Sequence, residues 1–486
     1  MENAEIDGFN TSETMFNVPL IIRGQVIENA DITHLGRGGG ISFTAPDVGR
    51  HIAQLSLSNP GDLTDLYALC LDEIFDYLGE LGNRLSLEGN PWVEEAFKAS
   101  CHTSGLGESI LRSMYNNMSR SLDPSALRET VEKTIGISHL EGWVESQLRG
   151  GVDVRIRAFG ARCVHIVAGN APGVSAMTVA RNAITRGDAI IKTPSNDPMT
   201  AAAIARTMIE MAPGHPLTRH LSVAYWKGGD AAIEEKLYSY RNVEKIIAWG
   251  GMASIKHIAK YIQPGVELVA LDPKLSSTII GKQAFSDEET MRNVAVELAK
   301  DGGGLNQEAC VNARVVWVES GTDDKGIAVL NRFGQMVYDE IQALPAEISS
   351  PAVRCDPKLE EEVVALKTGG DDWYRVIGGG RNGAVIVSQM DEPVDFAPIL
   401  ANRVINLVPF DDIDTPVHAV TSYTQTIGIY PETLKEELRD RLALQGAQRL
   451  VALGYALAAT THGLQDAIEP WRRMCRWIVE ERHKTG

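Results

Sequence analysis

Cys163-Val164-His165-Ile166-Val167-Ala168, followed by Gly169-Asn170-Ala171-Pro172-Gly173, decides how the rest of this chain is read. The first six residues form a short, nearly continuous apolar run, the pattern of a strand covered on both faces. The next five are turn residues. Val174 to Arg186 then reads as a small-residue helix that Gly187 stops. Strand, turn and helix in that order open a βαβ unit.

The alternation continues downstream. Ala189 to Lys192 is a second strand, and Pro198 to Met211 a helix with proline at its start, where proline is tolerated. Leu221 to Trp226 is a third strand, with a helix from about Asp230. Val243 to Trp249 is a fourth strand, Gly250-Gly251 opens another helix, and Val266 to Leu271 is a fifth strand. Strands alternating with helices predict a parallel, doubly wound sheet. Ligands of such sheets bind beyond the carboxyl ends of the strands. The turns after Ala168, Lys192, Trp226 and Trp249 are therefore the candidate site loops.

A second alternating series begins near residue 290. Met291 to Lys300 reads as a helix, Val315 to Val318 as a strand, Gly326 to Leu344 as a helix, and Gly383 to Val387 and Arg403 to Pro409 as strands. The expected division is 1–275 for an amino-terminal segment with a nucleotide-type domain, 276–432 for a second α/β domain, and 433–486 for a mostly helical tail. Before residue 60 the pattern is short strands and turns, among them Pro19 to Gly24. From 61 to 150 it is mostly helical, with Leu63, Leu66, Cys70, Ile74, Tyr77 and Leu78 near three-and-four spacing. The run Gly36-Arg37-Gly38-Gly39-Gly40 lacks the preceding strand and following Lys-Ser/Thr of a phosphate loop, and reads as a flexible connection.

The 486 residues exceed one ordinary core, so two or three domains are expected. A net charge of -18 with no local basic patch argues against nucleic acid. Six cysteines without a CxxC pair form neither a zinc site nor a disulfide framework. Eleven histidines without HxH or HExxH spacing give no metal site. The acidic start, Met1 to Glu5, lacks the apolar core of a signal peptide, and no run approaches the roughly 20 apolar residues of a membrane span. A cytoplasmic protein is the expectation.

Gly304-Leu305-Asn306-Gln307-Glu308-Ala309-Cys310 holds the candidate nucleophile. Cysteine is the most nucleophilic side chain near neutral pH, yet a single cysteine is more often a small buried hydrophobe. Here Gly302, Gly303, Gly304, Ala309 and Ala313 supply more small residues than core packing needs. Glu308 reads as a loop residue rather than a base. Asn170 follows a buried strand and is either an oxyanion donor or a turn asparagine. Lys192 ends a strand and either holds a ribose hydroxyl or phosphate or is a solvated strand end. Gly228-Gly229 and Gly250-Gly251 sit between strand and helix, where glycine admits phosphates to free amides or simply makes turns.

Together these pieces resemble the aldehyde dehydrogenase superfamily and, within it, the acyl-CoA reductases of bacterial bioluminescence, over roughly residues 20 to 480. Val167-Ala168-Gly169-Asn170 resembles the strand ending in the oxyanion asparagine. Ile190-Ile191-Lys192-Thr193-Pro194-Ser195 is similar to the adenosine-side lysine loop, and Ile246 to Gly251 to the turn near the nicotinamide. Asn306 to Cys310 is similar to the nucleophile loop.

The resemblance implies an α/β fold of aldehyde dehydrogenase type, with two doubly wound domains and a helical carboxyl-terminal segment. It implies Cys310 and Asn170 as catalytic residues, and Ala168, Gly169, Lys192, Thr193, Ser195, Gly229, Trp249, Gly250 and Gly251 as cofactor contacts. NADPH is the implied cofactor, with NADH as the alternative. The implied substrate is a long-chain acyl-CoA or other acyl thioester, the implied partners an acyl-donating enzyme and further copies of this chain.

Three departures shape the expected chemistry. Ala270 stands where the superfamily keeps a hydrolytic glutamate, which favours reducing a thioester over forming an acid. Ser195 stands where NAD-preferring relatives often carry a glutamate, which removes repulsion against a 2′-phosphate. Val404 to Pro409 lacks the glutamate that usually contacts the nicotinamide ribose. His462 to Asp466, with Met474 to Trp477 beyond it, is similar to the reductase tail, altered around the histidine. The competing readings are an aldehyde dehydrogenase forming free acid and a cysteine acyltransferase or thioesterase that uses no nicotinamide.

Overall fold

A computed structural model describes residues 16–36, 41–149, 152–272, 274–458 and 462–482. Residues 37–40 of the glycine run, the amino-terminal 1–15 and Pro273 lie outside the described residues. The chain divides into two compact units: Met1–Ser104, Tyr115–Ala270 and Trp471–Gly486 form one, and Gly105–Met114 with Leu271–Pro470 the other.

The first unit is built on a seven-stranded sheet. Its order is Glu267–Leu271, Lys245–Trp249, Arg162–Ile166, Asp188–Lys192, Leu221–Ala224, Leu20–Ile22, Gln25–Ile27. The four strands from Lys245–Trp249 to Leu221–Ala224 pair in parallel. The Leu20–Ile22 and Gln25–Ile27 hairpin adds an antiparallel edge, turning through Arg23 and Gly24. The opening sequence behaves as read: Arg162–Ile166 is buried along its whole length, and helix Pro172–Thr185 follows the turn. Val164, Ile166, Ile190, Ala224, Ile246 and Ala248 share one core with Trp226, Leu237 and Ile258. The chain runs outward from Arg162–Ile166 in one direction and returns on its other side with Lys245–Trp249. The topological switch therefore falls between these two strands, at the turns beginning with Val167 and Gly250.

The second unit carries another seven-stranded sheet, in the order Tyr374–Gly378, Ala384–Ser388, Val404–Pro409, Ala313–Val318, Leu275–Ile280, Thr424–Tyr430, Arg449–Ala452. All neighbours are parallel except the first pair. Helices Glu288–Gly303 and Asp324–Ala343 cover one face through Leu298, Phe333 and Val337, while Leu438 and Leu442 of Glu432–Gln445 pack on the other.

Two expectations need correction. The tail is helical only over Glu432–Gln445 and a short turn at Pro470–Met474. Arg449–Ala452 completes the second sheet, and Arg476–Arg482 pairs antiparallel with Asp153–Phe159 in a three-stranded sheet of the first unit. Backbone pairing with distant strands decides these segments, and no local pattern reports it. The helix expected from Pro198 begins at Thr200, because Asp197 accepts hydrogen bonds from the Thr200 amide (3.2 Å) and hydroxyl (2.5 Å) and keeps the preceding residues in a turn.

Candidate active site

Cys310 lies between helix Glu288–Gly303 and strand Ala313–Val318, in a loop under backbone strain. Leu305, Asn306 and Gln307 all have positive φ, at 51°, 51° and 65°. Each non-glycine residue there costs about 1–3 kcal/mol and persists only where its surroundings over-determine it. The surroundings do so. The Leu305 amide donates to the Ile348 carbonyl (2.8 Å), and Asn306 Oδ1 accepts from the Ser350 amide (2.9 Å). Fully buried Gln307 donates to the Ala313 and Val404 carbonyls (2.8 and 2.9 Å) and accepts from the Val404 amide (3.0 Å). Asn312, also fully buried, donates to the Asp301 and Gly304 carbonyls and accepts from the Ala309 amide. The Ser276 hydroxyl donates to the Cys310 carbonyl at 2.7 Å.

The thiol is held partly buried. Burial pushes its pKa up, and the Asp466 carboxylate adds to the rise; a hydrogen bond with Gln425 and the charge of Arg314 oppose it. Gln425 Nε2 donates to Asp466 Oδ1, so one amide ties the carboxylate to the sulphur. The stretch leading to Asp466 is pinned further back. Asp301 accepts from the Gly454 and Ala456 amides (2.8 and 2.9 Å), and Arg449 donates to the carbonyls of Tyr455, Ala456 and Ala458. Ser276, Gln425 and Arg314 escaped the sequence reading, and Asp466 entered it only as part of a tail pattern. The other five cysteines have no such setting: Cys163 and Cys475 are buried, with Cys475 pushed up to about 12 by burial.

The remaining candidates belong to the first unit. Ala168, Gly169 and Asn170 form the turn after Arg162–Ile166, and all three are partly exposed. A side chain at Gly169 would stand 2.3 Å from Asn196 Oδ1, so close packing of this turn on Asn196 requires glycine. Lys192 ends its strand with the ammonium 5.8 and 5.6 Å from the Tyr225 and Trp226 ring centres. Burial lowers its pKa to about 8, against an opposing pull from Glu234. Its one hydrogen bond among the described residues is a long one, 3.4 Å, to the Thr193 carbonyl. Thr193 is buried, and its hydroxyl turns to the Ala224 carbonyl at 3.5 Å. Ser195 is partly exposed, and Trp249 lies under the Arg181 guanidinium.

The Gly228-Gly229 and Gly250-Gly251 turns leave room beside the backbone. A Cβ at Gly228 or Gly251 would meet nothing within 4 Å. Helix Met252–Ala259 starts at Gly251 without a side-chain cap, so its first amides stay open to an anion. An under-satisfied buried ammonium, two open glycine turns and an uncapped helix at the carboxyl edge of a parallel sheet fit a dinucleotide. Among the described residues no cluster of His, Cys, Asp or Glu could hold a metal ion, and no helix is long and apolar enough to cross a membrane.

Two doubly wound α/β units, one carrying open glycine turns at the carboxyl edge of its sheet and the other a constrained cysteine loop, define a protein of the aldehyde dehydrogenase fold. Lactaldehyde dehydrogenase from Escherichia coli superposes with a TM-score of 0.72 at 14% identity, covering 96% of this chain and 100% of its own. The NADP-dependent glyceraldehyde-3-phosphate dehydrogenase from Bacillus halodurans, solved with NADP, gives 0.72 at 12% identity, covering 96% and 99%. The family model described as acyl-CoA reductase (LuxC) matches residues 68–477, and the chain belongs to that family. Among its relatives are the long-chain acyl-protein thioester reductases of Aliivibrio fischeri, 28% identical over 89% of this chain and 86% of the relative, and of Vibrio harveyi, 25% identical over 96% and 93%.

Proposed function

We propose that this protein reduces a long-chain acyl thioester to the aldehyde through an acyl-cysteine at Cys310, with NADPH as reductant. The observation that carries the reading is the Cys310 loop. Three successive left-handed residues are held by buried amides around one thiol, in a chain of the acyl-CoA reductase family.

The Cys310 sulphur, as thiolate, attacks the thioester carbonyl and a carbon–sulphur bond forms. The Cys310 backbone amide and the Asn170 carboxamide stabilise the resulting oxyanion. Collapse expels the donor's thiol, which leaves with a proton, and Cys310 carries the acyl group. NADPH, when bound, supplies the hydride that reduces this thioester carbon. The thiohemiacetal then breaks its carbon–sulphur bond, releasing aldehyde and returning the Cys310 thiolate. Lys192 and the turns at Gly228-Gly229 and Gly250-Gly251 hold the dinucleotide. Ala270, where the superfamily keeps its hydrolytic glutamate, supplies no base to activate water.

The relatives' names point to an acyl group delivered on a protein, and the family description to one delivered on CoA. The test assays Cys310→Ala and the unaltered protein for NADPH oxidation with a long-chain acyl-CoA and with an acylated donor protein. Aldehyde formation by the unaltered protein from either donor, abolished in the variant, is expected. Substantial residual turnover in the variant would remove Cys310 from the mechanism. Acyl transfer with no NADPH consumed would replace a reductase by an acyltransferase.

A further inference from the structure

Glu234, on helix Ala231–Leu237 after the Gly228-Gly229 turn, is a carboxylate with no solvent exposure. Its Oε1 accepts from the Gly229 amide (3.1 Å) and the Trp226 indole (3.4 Å), and its Oε2 faces His257 Nε2 at 2.6 Å. The Tyr261 hydroxyl also bonds to it. Both oxygens are therefore engaged, and Glu234 is closed to ribose hydroxyls. It can act only through the groups it holds.

Two basic residues lie around it: His257, which it holds directly, and Lys192, whose ammonium feels its charge. His257 leans over the same turn, its Cε1 4.0 Å from where a Cβ on Gly229 would stand. Nε2 is taken by Glu234, and Nδ1 makes no hydrogen bond among the described residues. The imidazolium form thus offers Nδ1–H to a ligand oxygen while Nε2–H stays on Glu234. His257 is about 30% exposed, so the ring is reachable. It also stands beyond the first turn of helix Met252–Ala259, away from the open amides that suit a pyrophosphate. Lys192 ends one strand of the parallel sheet, and Glu234 and His257 lie on the helices that follow the next two strands in the chain.

We propose that His257 is a second cationic contact, beside Lys192, for the 2′-phosphate of NADP(H), with Glu234 as the residue that positions it. This rests on the reading of Lys192 as the adenosine-side lysine. It adds a specificity-determining residue from a helix that the sequence motifs leave aside.

Equilibrium binding provides the test, with 2′,5′-ADP and 5′-AMP as probes and NADP+ and NAD+ beside them, on the unaltered protein, His257→Gln and His257→Lys. Loss of one charge-assisted hydrogen bond should weaken 2′,5′-ADP and NADP+ about tenfold in His257→Gln, leaving 5′-AMP and NAD+ within about twofold. His257→Lys keeps a cation and should recover much of the loss. Equal weakening of all four ligands, or of none, overturns the proposal, as does a His257→Lys variant no better than His257→Gln. If the unaltered protein binds none of the four, the nicotinamide reading itself falls. If it binds 2′,5′-ADP tightly and His257→Gln does so equally, that reading stands and only the role of His257 is lost.

Discussion

The two parallel sheets use opposite edges. In the first unit every candidate contact follows a strand: Ala168 to Asn170 after Arg162–Ile166, Lys192 at the end of its own strand, Gly250-Gly251 after Lys245–Trp249. In the second unit the reactive groups come at or before the strand starts. Cys310 precedes Ala313–Val318, Ser276 opens Leu275–Ile280 and Gln425 opens Thr424–Tyr430. The carboxyl edge of a parallel sheet receives helix amino termini, whose free amides welcome anions, so backbone alone makes much of a dinucleotide site. The amino edge receives helix carboxyl termini and their free carbonyls, which do not welcome a thiolate. A nucleophile placed there must be supported by side chains. Gln307, Asn312, Ser276, Gln425 and Arg314 are that support, and burial raises the Cys310 pKa against the opposing pull of Gln425 and Arg314.

Asn170 is the sharpest way to break this contrast, because it asks whether the carboxyl-edge turn also contributes to the chemistry at the cysteine. Removing one oxyanion donor costs about 100- to 1,000-fold in kcat. Asn170→Ala should show that loss in steady-state turnover while NADPH binding, titrated separately, stays within about twofold. A variant that instead loses nucleotide affinity would return Asn170 to the cofactor side and leave the cysteine loop to stabilise its own oxyanion.

The contrast also explains what could be read from sequence. The first unit was legible because buried strands, glycine turns and small-residue helices are local patterns, and the site loops follow from them by one topological rule. The second sheet was legible only in part, through Val315–Val318, Gly383–Val387 and Arg403–Pro409, while Leu275–Ile280, Tyr374–Gly378, Thr424–Tyr430 and Arg449–Ala452 were not read. Cys310 was legible as an anomaly of small residues. Its support was not. Gln425 and Asp466 reach the thiol from parts of the chain far from residue 310. The left-handed stretch falls on Leu305, Asn306 and Gln307, where no glycine announces it. His257 and Glu234 were hidden for a related reason, since neither sits in a motif and they meet only where helices Ala231–Leu237 and Met252–Ala259 come together.

Lys192 supplies a second, smaller test of the carboxyl edge. Burial lowers its pKa to about 8, and a bound 2′-phosphate favours the charged ammonium. Raising the pH through that value discharges the free protein's lysine before the ligand arrives. The affinity for NADP+ should therefore fall about tenfold from about pH 7 to about pH 9, with little change for NAD+. Lys192→Met should bind NADP+ weakly at both pH values and flatten the dependence. Parallel slopes for the two nucleotides would remove Lys192 from the 2′-phosphate.

The smallest effect probes the amino edge directly. Asp466 raises the Cys310 pKa, and Gln425, hydrogen-bonded to both, opposes the rise. Asp466→Asn removes the charge but keeps an oxygen that can accept from Gln425. The thiol pKa should fall, so iodoacetamide should modify Cys310 roughly threefold to tenfold faster at about pH 8, with the midpoint of the rate profile moved to lower pH. Gln425→Ala should move the midpoint the other way, because the thiolate loses a hydrogen bond and keeps the facing carboxylate. Opposite shifts from two residues that touch each other cannot come from a general loosening of the loop, which would move both variants in one direction. If both midpoints do move together, the pair serves packing alone, and the cysteine's reactivity is set by burial and the strained backbone.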